Sequence, residues 1–412
     1  MSKQAAPLLL PLTALRQLAA APHRLLFFVG AANVLLAMTW WAVWLLNARW
    51  QGMSLSQPPV PAGWLHAIVM QYQVLPSFMF GFLLTVFPRW MNLPPLTRRH
   101  YVPVGLGLLG GQAVTLVGLA GDLSLLKLGA IFTMTGWSLG TLILVALVHA
   151  DEGRTWHAVS CTFALVFGLL GLVLYTIFLY RFDARLMFVS IKLASILVLL
   201  PIFFTVCHRM LPFFAGAVIP GYRAARPMWA LAAFWGLALT HLWLELRHGY
   251  AWLWITDVPL AALCGWVLWC WWPRVKQIPA LLRVLFVGFA WLPVAFALYA
   301  AQSLNFAMTN EFVLGRAPAH ALFIGFFGSL LVAMVTRVTQ GHSGRPLVLG
   351  RVAAAAFILV QLVAVLRIVA EVVPDAMAWQ AIAAVGWVIA FLPWVLRSAW
   401  IYLTPRTDGK AG

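Results

Sequence analysis

Long stretches without a charged residue recur along the whole chain, and they decide what it can fold into. Leu25–Ala48, Leu128–Ala150 and Thr155–Tyr180 are three of them. At about 1.5 Å per residue, a helix of that length crosses a bilayer hydrocarbon core of about 30 Å. The 412 residues are 63% hydrophobic and only 9% charged, which soluble domains are not. We therefore predict an all-α polytopic membrane protein.

The apolar segments predict about twelve transmembrane helices in a single integral membrane domain, residues 1–412, because no segment between them is long enough for another domain. The N-terminus lacks the features of a cleavable signal peptide, so we expect the first span to direct insertion. The predicted spans are 24–46, 62–87, 101–120, 123–149, 155–180, 184–207, 227–247, 250–272, 280–302, 317–340, 347–371 and 376–402.

The positions of lysine and arginine predict the direction of these spans. Of the 27 basic residues, 19 fall on the side of the N-terminus, five on the opposite side and three within spans. Basic residues concentrate in cytoplasmic loops, so we expect a multi-pass protein with both termini cytoplasmic. The net charge of +17 follows from this topology. The basic residues stand singly or in pairs between spans and do not form a patch, so we expect the protein to contact lipid and not nucleic acid.

A weak internal repeat is visible at three span ends. They read TVFPRW at 85–90, TVCHRM at 205–210 and MVTRVT at 334–339. Arg89, Arg209 and Arg337 lie 120 and 128 residues apart, four spans each time. The spacing predicts three four-helix units in the same orientation. The alternative is that arginine accumulates at any cytoplasmic helix end.

Two histidines at the outer ends of spans indicate a haem site. His66 lies about one turn into the second span, and His320 lies at the start of the tenth. A histidine within a span is costly unless it has a partner, and neutral imidazole is a common axial ligand of haem. We expect the two rings to hold one haem, with Met70 on the same helix face as His66. Hydrogen bonding to a neighbouring helix is the alternative.

An inner-side pair gives a second metal hypothesis. His208 ends the sixth span and His342 follows the tenth, so the two imidazoles could share a metal or haem. Arg209 follows His208, and Arg337 and Arg345 lie on either side of His342. Guanidinium groups pair well with haem propionates. The alternative is a structural clamp at the helix ends. The other inner-side histidines are predicted to be interfacial anchors or solvated: His23, His100, His149 and His157.

Ionisable residues at membrane depth offer a different interpretation. His241, a further metal-ligand candidate, has Glu245 one turn away. Lys192, Asp257 and Arg367 also fall within the outer half of spans. Such residues mark ion or substrate paths, or pair with one another. They therefore predict either a transporter path or structural ion pairs.

Three segments resemble the NnrS family. They are GWLHAIVM followed by GFLLTVFPRW, then CHRMLPFF, and PAHALFIGFFGSLLVAMVTRVTQGHSGRPL. Members of that family are twelve-span membrane proteins with haem and copper, associated with denitrification and the response to nitric oxide. The resemblance implies a b-type haem, copper, a relation to nitric oxide and partners among respiratory or denitrification proteins. The matched positions are His66, Met70, His208, Arg209, Pro212, His320, Arg337, His342, Gly344, Arg345 and Pro346.

The chain departs from the family at its first motif. Many members read HAHEM there, whereas Ile68 and Val69 replace the second histidine and the glutamate. The four-span repeat also resembles the catalytic subunit of haem–copper oxidases, but no complete binuclear site can be assembled from these histidines. We expect a haem-binding and copper-binding protein of the nitric oxide response. A transporter and an assembly or structural partner of respiratory enzymes are the rivals.

Overall fold

The computed structural model describes residues 11–223 and 225–409, and within them all regular structure is helical. In this described part of the chain, twelve helices are long and apolar enough to span a membrane, which confirms the predicted fold class. A short helix, Pro11–Leu18, precedes them. The spans α1 to α12 are Pro22–Trp50, Ala62–Trp90, Arg98–Gly118, Leu123–His149, Trp156–Arg181, Ala184–Val218, Met228–Leu246, Trp254–Trp271, Ala280–Thr309, Ala317–His342, Arg351–Val369 and Ala376–Leu403.

Helix ends follow ordinary capping chemistry. The side chain of Asp122 accepts hydrogen bonds from the backbone of Ser124 and Leu125 at the start of α4. Gln51 after α1 and Asn310 after α9 adopt left-handed backbone conformations, with φ of 51° and 59°. Caps of these kinds satisfy backbone groups that a helix leaves unpaired at its ends. These caps let the helices end abruptly and be joined by short loops.

Three helices form the interior of the molecule. The most apolar windows of α2 and α10 are each 89% buried and that of α6 is 67% buried, against 33–56% for the other nine. Outer helices pack against one another in three groups, α3 to α5, α7 to α9, and α11 with α12, and α12 returns to pack against α1. Nine outer helices thus surround α2, α6 and α10.

Contacts between the first and last helices define the two ends of the bundle. At one end, which we call the terminal side, the Arg24 side chain donates to the backbone carbonyls of Tyr402 and Thr404. At the other, the distal side, Arg49 forms two parallel hydrogen bonds with the carboxylate of Asp375. The guanidinium lowers the pKa of Asp375. Sequence predicts that the terminal side is cytoplasmic.

Each central helix contains one segment of π-helix. These segments are Met70–Val74 in α2, Ala194–Leu199 in α6 and Ala321–Gly328 in α10. Their first residues are 124 and 127 positions apart. Single π segments within α-helices are often found at functional sites. The recurrence at matching positions supports the three four-helix units that the sequence predicts.

A central cavity fixes the register of this repeat. Its volume is about 60 Å³, and it is lined by apolar side chains of α2, α6 and α10, with Phe27 of α1. Each central helix contributes positions n, n+1, n+4 and n+5, beginning at Phe78, Ile202 and Leu330. These starting positions are 124 and 128 residues apart. The cavity therefore lies between equivalent faces of the three repeated units.

This register corrects the arginine spacing of the predicted repeat. Arg209 and Arg337 are equivalent, but the matching residue of α2 is Thr85, and Arg89 lies one helical turn further on. The sequence comparison was misled because arginine accumulates at helix ends irrespective of register. The repeat is present, with a first step of 124 residues and not 120.

Candidate functional site

His66 and His320 occupy comparable places in two central helices. His66 lies in the first α-helical stretch of α2, Ala62–Val69, and Met70 begins its π segment. His320 directly precedes the π segment of α10. Both imidazoles are half-buried at the distal side. The fold therefore presents the two histidines from the interior helices at one end of the bundle.

His320 is held by a hydrogen bond that leaves one ring nitrogen available. Its Nδ1 lies 2.9 Å from the backbone carbonyl oxygen of Arg316. A carbonyl oxygen can only accept, so Nδ1 carries the proton and donates. In the neutral ring, Nε2 then keeps its lone pair. Metal-ligating histidines are commonly oriented by such a bond from the other nitrogen.

Arginines and a tryptophan complete the distal cluster, which we define as His66, His320, Trp41, Arg316 and Arg367. The His66 ring stacks on Trp41, with 4.5 Å between ring centres and 9° between planes. Arg316 and Arg367 interact electrostatically with both imidazoles, and the imidazoles interact with each other. The structure thus brings together the two histidines predicted to hold a haem and surrounds them with positive charge.

Arg367 also has a partner just beyond the end of its own helix. Its guanidinium pairs with the carboxylate of Glu371, four residues further along the chain. Guanidinium has five N–H donors, so an arginine that pairs with one carboxylate can also donate to a second acidic group. Arg367 is therefore suited to pair with a carboxylate of a bound group.

His241 lies in a buried polar network, which contains Lys192, Glu245 and Asp257. Its Nδ1 lies 2.6 Å from Oδ1 of Asp257, and its Nε2 lies 3.7 Å from Oε2 of Glu245. Lys192 donates to the other oxygen of Glu245 at 2.6 Å. The predicted metal-ligand role of His241 finds no support in this geometry, because both its nitrogens face carboxylates. Over the described residues, no group of three or more His, Cys, Asp or Glu has an arrangement that could hold a metal ion.

The same network bears on the transporter hypothesis. Lys192 and Asp257 belong to it, with Lys192 paired to Glu245 and Asp257 paired to His241. Arg367 lies in the distal cluster with Glu371 as its partner. The three charged residues thus belong to two separate groups, each with its own counter-ions. This arrangement favours structural ion pairs over one substrate path.

His208 belongs to a chain of hydrogen bonds. Its Nε2 lies 3.3 Å from the carbonyl oxygen of Pro227, and its Nδ1 lies 2.9 Å from Nε2 of His157. Because the carbonyl accepts, Nε2 of His208 carries the proton, and His157 donates to Nδ1. Both nitrogens of His208 are therefore engaged, as the structural alternative requires. A metal at His208 would have to break one of these bonds.

His342 has a different partner from the one hypothesised. Its ring lies 4.3 Å from that of His23, centre to centre, with 39° between the planes. Within the described residues, the ring contacts thus pair His342 with His23, and His208 with His157. The structure therefore does not pair His208 with His342, because the end of α10 lies against the start of α1.

The arginines expected near propionates lie over aromatic rings. Cζ of Arg209 is 4.5 Å from the centre of the Trp90 ring. The corresponding distance is 4.0 Å from Arg337 to Phe214 and 5.3 Å from Arg345 to Trp400. Such cation–π contacts are stabilising in partly desolvated places. They indicate that these guanidinium groups fasten helix ends on the terminal side.

Several residues of these clusters escaped sequence reasoning. His23 and His157, expected to be anchors or solvated, are 4% and 9% exposed. Trp41 also belongs to the distal cluster, but it is one of 22 tryptophans and does not stand out in the sequence. Arg316 belongs to the cluster too, but it lies in a loop, where an arginine is unremarkable. A signal was available for Arg316, because it precedes His320 by four residues and can orient it through its carbonyl.

Comparison with known proteins adds one match. The sequence model of the family described as NnrS protein matches residues 17–406, nearly the whole chain. No curated protein matches the sequence. The match covers all twelve spans and both histidines of the distal cluster.

Proposed function

The chain belongs to the NnrS family and is a membrane protein related to the response to nitric oxide; from this premise we propose that it binds haem through His66 and His320. The proposal includes copper as a second group, a b-type haem and a place in the bacterial inner membrane with cytoplasmic termini. It also treats residues 1–412 as a single membrane domain. Its partners would be respiratory or denitrification proteins.

One observation carries the haem proposal. His66 and His320 come from two central helices to the same distal cluster, and His320 donates from Nδ1 so that its Nε2 keeps a lone pair. Two neutral imidazoles are a suitable donor set for haem iron. His66 and His320 therefore fit a haem. Unlike His241, they do not pair with the carboxylates of the polar network.

The surroundings supply what a haem requires besides its axial ligands. Arg316 and Arg367 would pair with the propionates, because guanidinium binds carboxylate through two parallel hydrogen bonds. Trp41 fixes the plane of the His66 ring by stacking. When bound, the haem would supply one-electron redox chemistry. The protein residues orient it and balance its negative charge.

The central cavity supports the relation to nitric oxide. Its lining offers apolar groups to an occupant, and nitric oxide is a small molecule with little polarity. An apolar cavity stays dry and accepts small apolar ligands. We infer that nitric oxide can reside there, between α2, α6 and α10.

The departure at positions 68 and 69 has a structural consequence. Ile68 and Val69 are each 1% exposed and belong to the hydrophobic core. The histidine and glutamate of other family members would stand in this buried place, so this chain lacks any ligand or acid–base group that they provide. The proposal therefore concerns binding by His66 and His320 and assigns no reaction.

The absorption spectrum of the purified protein tests the proposal. We expect a Soret band, and sharp α and β bands after reduction, in protein from haem-replete cells. His66→Ala and His320→Ala should each remove or convert these bands. His248→Ala is the matched control, because His248 is an exposed histidine on the same side. A colourless wild type, or wild-type spectra in both variants, would contradict the haem site.

A further inference from the structure

The terminal ends of the central helices carry a repeated contact. Arg209 of α6 lies over Trp90 of α2, and Arg337 of α10 lies over Phe214 of α6. In the register of the central cavity, the two arginines are equivalent, and so are the two rings. Each arginine therefore reaches from its own helix to the aromatic residue of the preceding central helix. Threefold symmetry calls for one more such contact, from α2 to α10.

The third position is built differently. The equivalent residues there are Thr85, where the other units have arginine, and His342, where they have Trp and Phe. His23 of α1 fills the place: its backbone N–H donates to Oγ1 of Thr85 at 3.1 Å, and its ring lies 4.3 Å from that of His342. Two repeats thus have a cation–π contact where the third has a pair of imidazoles.

A ring nitrogen of this pair has no hydrogen-bond partner among residues 11–223 and 225–409. His23 is 4% exposed, and its Nδ1 is buried without a hydrogen bond to any of these residues. The pocket that both rings line also includes Thr339 and Tyr402. Buried polar atoms are nearly always satisfied, so an orphaned one calls for a ligand or another explanation. Here the orphan is an imidazole nitrogen beside a second imidazole, which is the donor set of a transition metal.

The ring separation is compatible with a shared ion. A metal bound about 2 Å from one nitrogen of each ring lies about 3 Å from each ring centre, so the centres can be up to about 6 Å apart. The observed 4.3 Å falls within that limit. A haem, by contrast, needs its two axial rings on opposite faces of a porphyrin, and rings in direct contact leave no room for one.

The surrounding charge selects among metals. Arg89 and Arg406 interact electrostatically with both histidines, and Arg24 with His23. Every positive charge added here is opposed by these guanidinium groups, so a monovalent ion is penalised least. Imidazole is a good ligand for copper.

We propose that His23 and His342 bind one copper(I) ion on the terminal side of the bundle. The proposal deepens the function given above, because it assigns a site to the copper expected there. Two protein ligands leave a coordination position for a small molecule. The site lies one helical turn along α1 from Phe27, which lines the central cavity. An occupant of the cavity and a copper ion would therefore be neighbours.

Copper binding to the purified full-length protein tests this assignment. Copper(I) is titrated against a chromophoric chelator with wild type, His23→Ala and His342→Ala. We expect at least a tenfold loss of affinity for one equivalent in each variant. His157→Ala is the matched control, since His157 belongs to the other histidine pair of the terminal side and should bind as wild type does. Wild-type affinity in both test variants would overturn the proposal.

X-ray absorption at the copper edge keeps the test decisive if a variant does not fold. Wild type loaded with one equivalent should show two imidazole nitrogens at about 2 Å, and a spectrum without imidazole scattering would overturn the site. The haem spectrum separates this proposal from the preceding one. His23→Ala should keep its Soret band because His66 and His320 are on the distal side. If wild type from haem-replete cells binds copper but contains no haem, that result contradicts the haem proposal and leaves the copper proposal intact.

Discussion

At the scale of single residues, the polar network shows how charge is accommodated at membrane depth. Lys192, Glu245, His241 and Asp257 come from three neighbouring helices, α6, α7 and α8. Glu245, His241 and Asp257 are almost completely buried, so each needs its partner. With a protonated His241 the two positive and two negative charges cancel. Removal of one member leaves an uncompensated charge in an apolar place, which is far more costly than removal of a pair.

We therefore predict a non-additive effect at Lys192 and Glu245. Lys192→Met should lower the free energy of unfolding by about 3 kcal/mol, since the carboxylate of Glu245 loses its counter-ion while still buried. Lys192→Met combined with Glu245→Gln should lower it by less than Lys192→Met alone. Unfolding in mixed detergent micelles measures both. Additive losses in the double variant would show that the two residues are not coupled.

The histidine pairs show what residue-level reasoning could and could not predict. Depth along the spans predicts that His66 and His320 lie at the same end of the bundle, and both interact electrostatically there with Arg316 and Arg367, although α2 and α10 belong to different repeats. The pairing of His342 with His23 depends on α1 lying against the end of α10, and that of His208 on the position of His157. No periodicity along one helix tells which other helix adjoins it. Helix-to-helix contacts had to come from the structure.

At the scale of elements, the π segments are what sets the central helices apart. A π turn inserts one residue into an α-helix, so that residues on its two sides are rotated relative to a regular helix. His320 lies immediately before such a segment, and His66 lies one helical turn before one. The sequence predicts simple α-helical spans at 62–87 and 317–340, because one inserted residue leaves hydrophobicity over a span unchanged. The helices were predictable, and their local irregularity was not.

This geometry predicts that the register of α10 matters for haem binding. Deletion of Ile324, within the π segment Ala321–Gly328, removes the additional residue of a π turn and should shift His320 relative to the rest of α10. We expect the haem bands to be lost as in His320→Ala while the protein still inserts and purifies. Ile324→Ala is the control, because it shortens the side chain but keeps the register. A deletion variant with a wild-type spectrum would show that the π segment does not position His320.

At the scale of the whole molecule, hydrophobicity decides the fold and symmetry decides its interior. Long apolar runs led directly to twelve spans, since only helices satisfy their own backbone within lipid. The central place of α2, α6 and α10 was less accessible, because outer helices that face lipid are as apolar as buried ones. The repeated arginines pointed to these helices, although with a first spacing four residues too short. The cavity at Phe78, Ile202 and Leu330 corrects it.

The last prediction concerns the orientation of the bundle in the membrane. Helix α1 ends on the distal side, where Arg49 meets Asp375, and α12 ends on the terminal side, where Arg24 reaches Thr404. With 19 basic residues assigned to the terminal side and five to the distal side, we expect the terminal side to face the cytoplasm. A reporter within 52–60 should then be periplasmic, and one after 406 should be cytoplasmic. Alkaline phosphatase and green fluorescent protein fusions at both places give opposite readouts. The same readout at both would exclude this topology, and with it the placing of the haem and copper sites on opposite sides of the membrane.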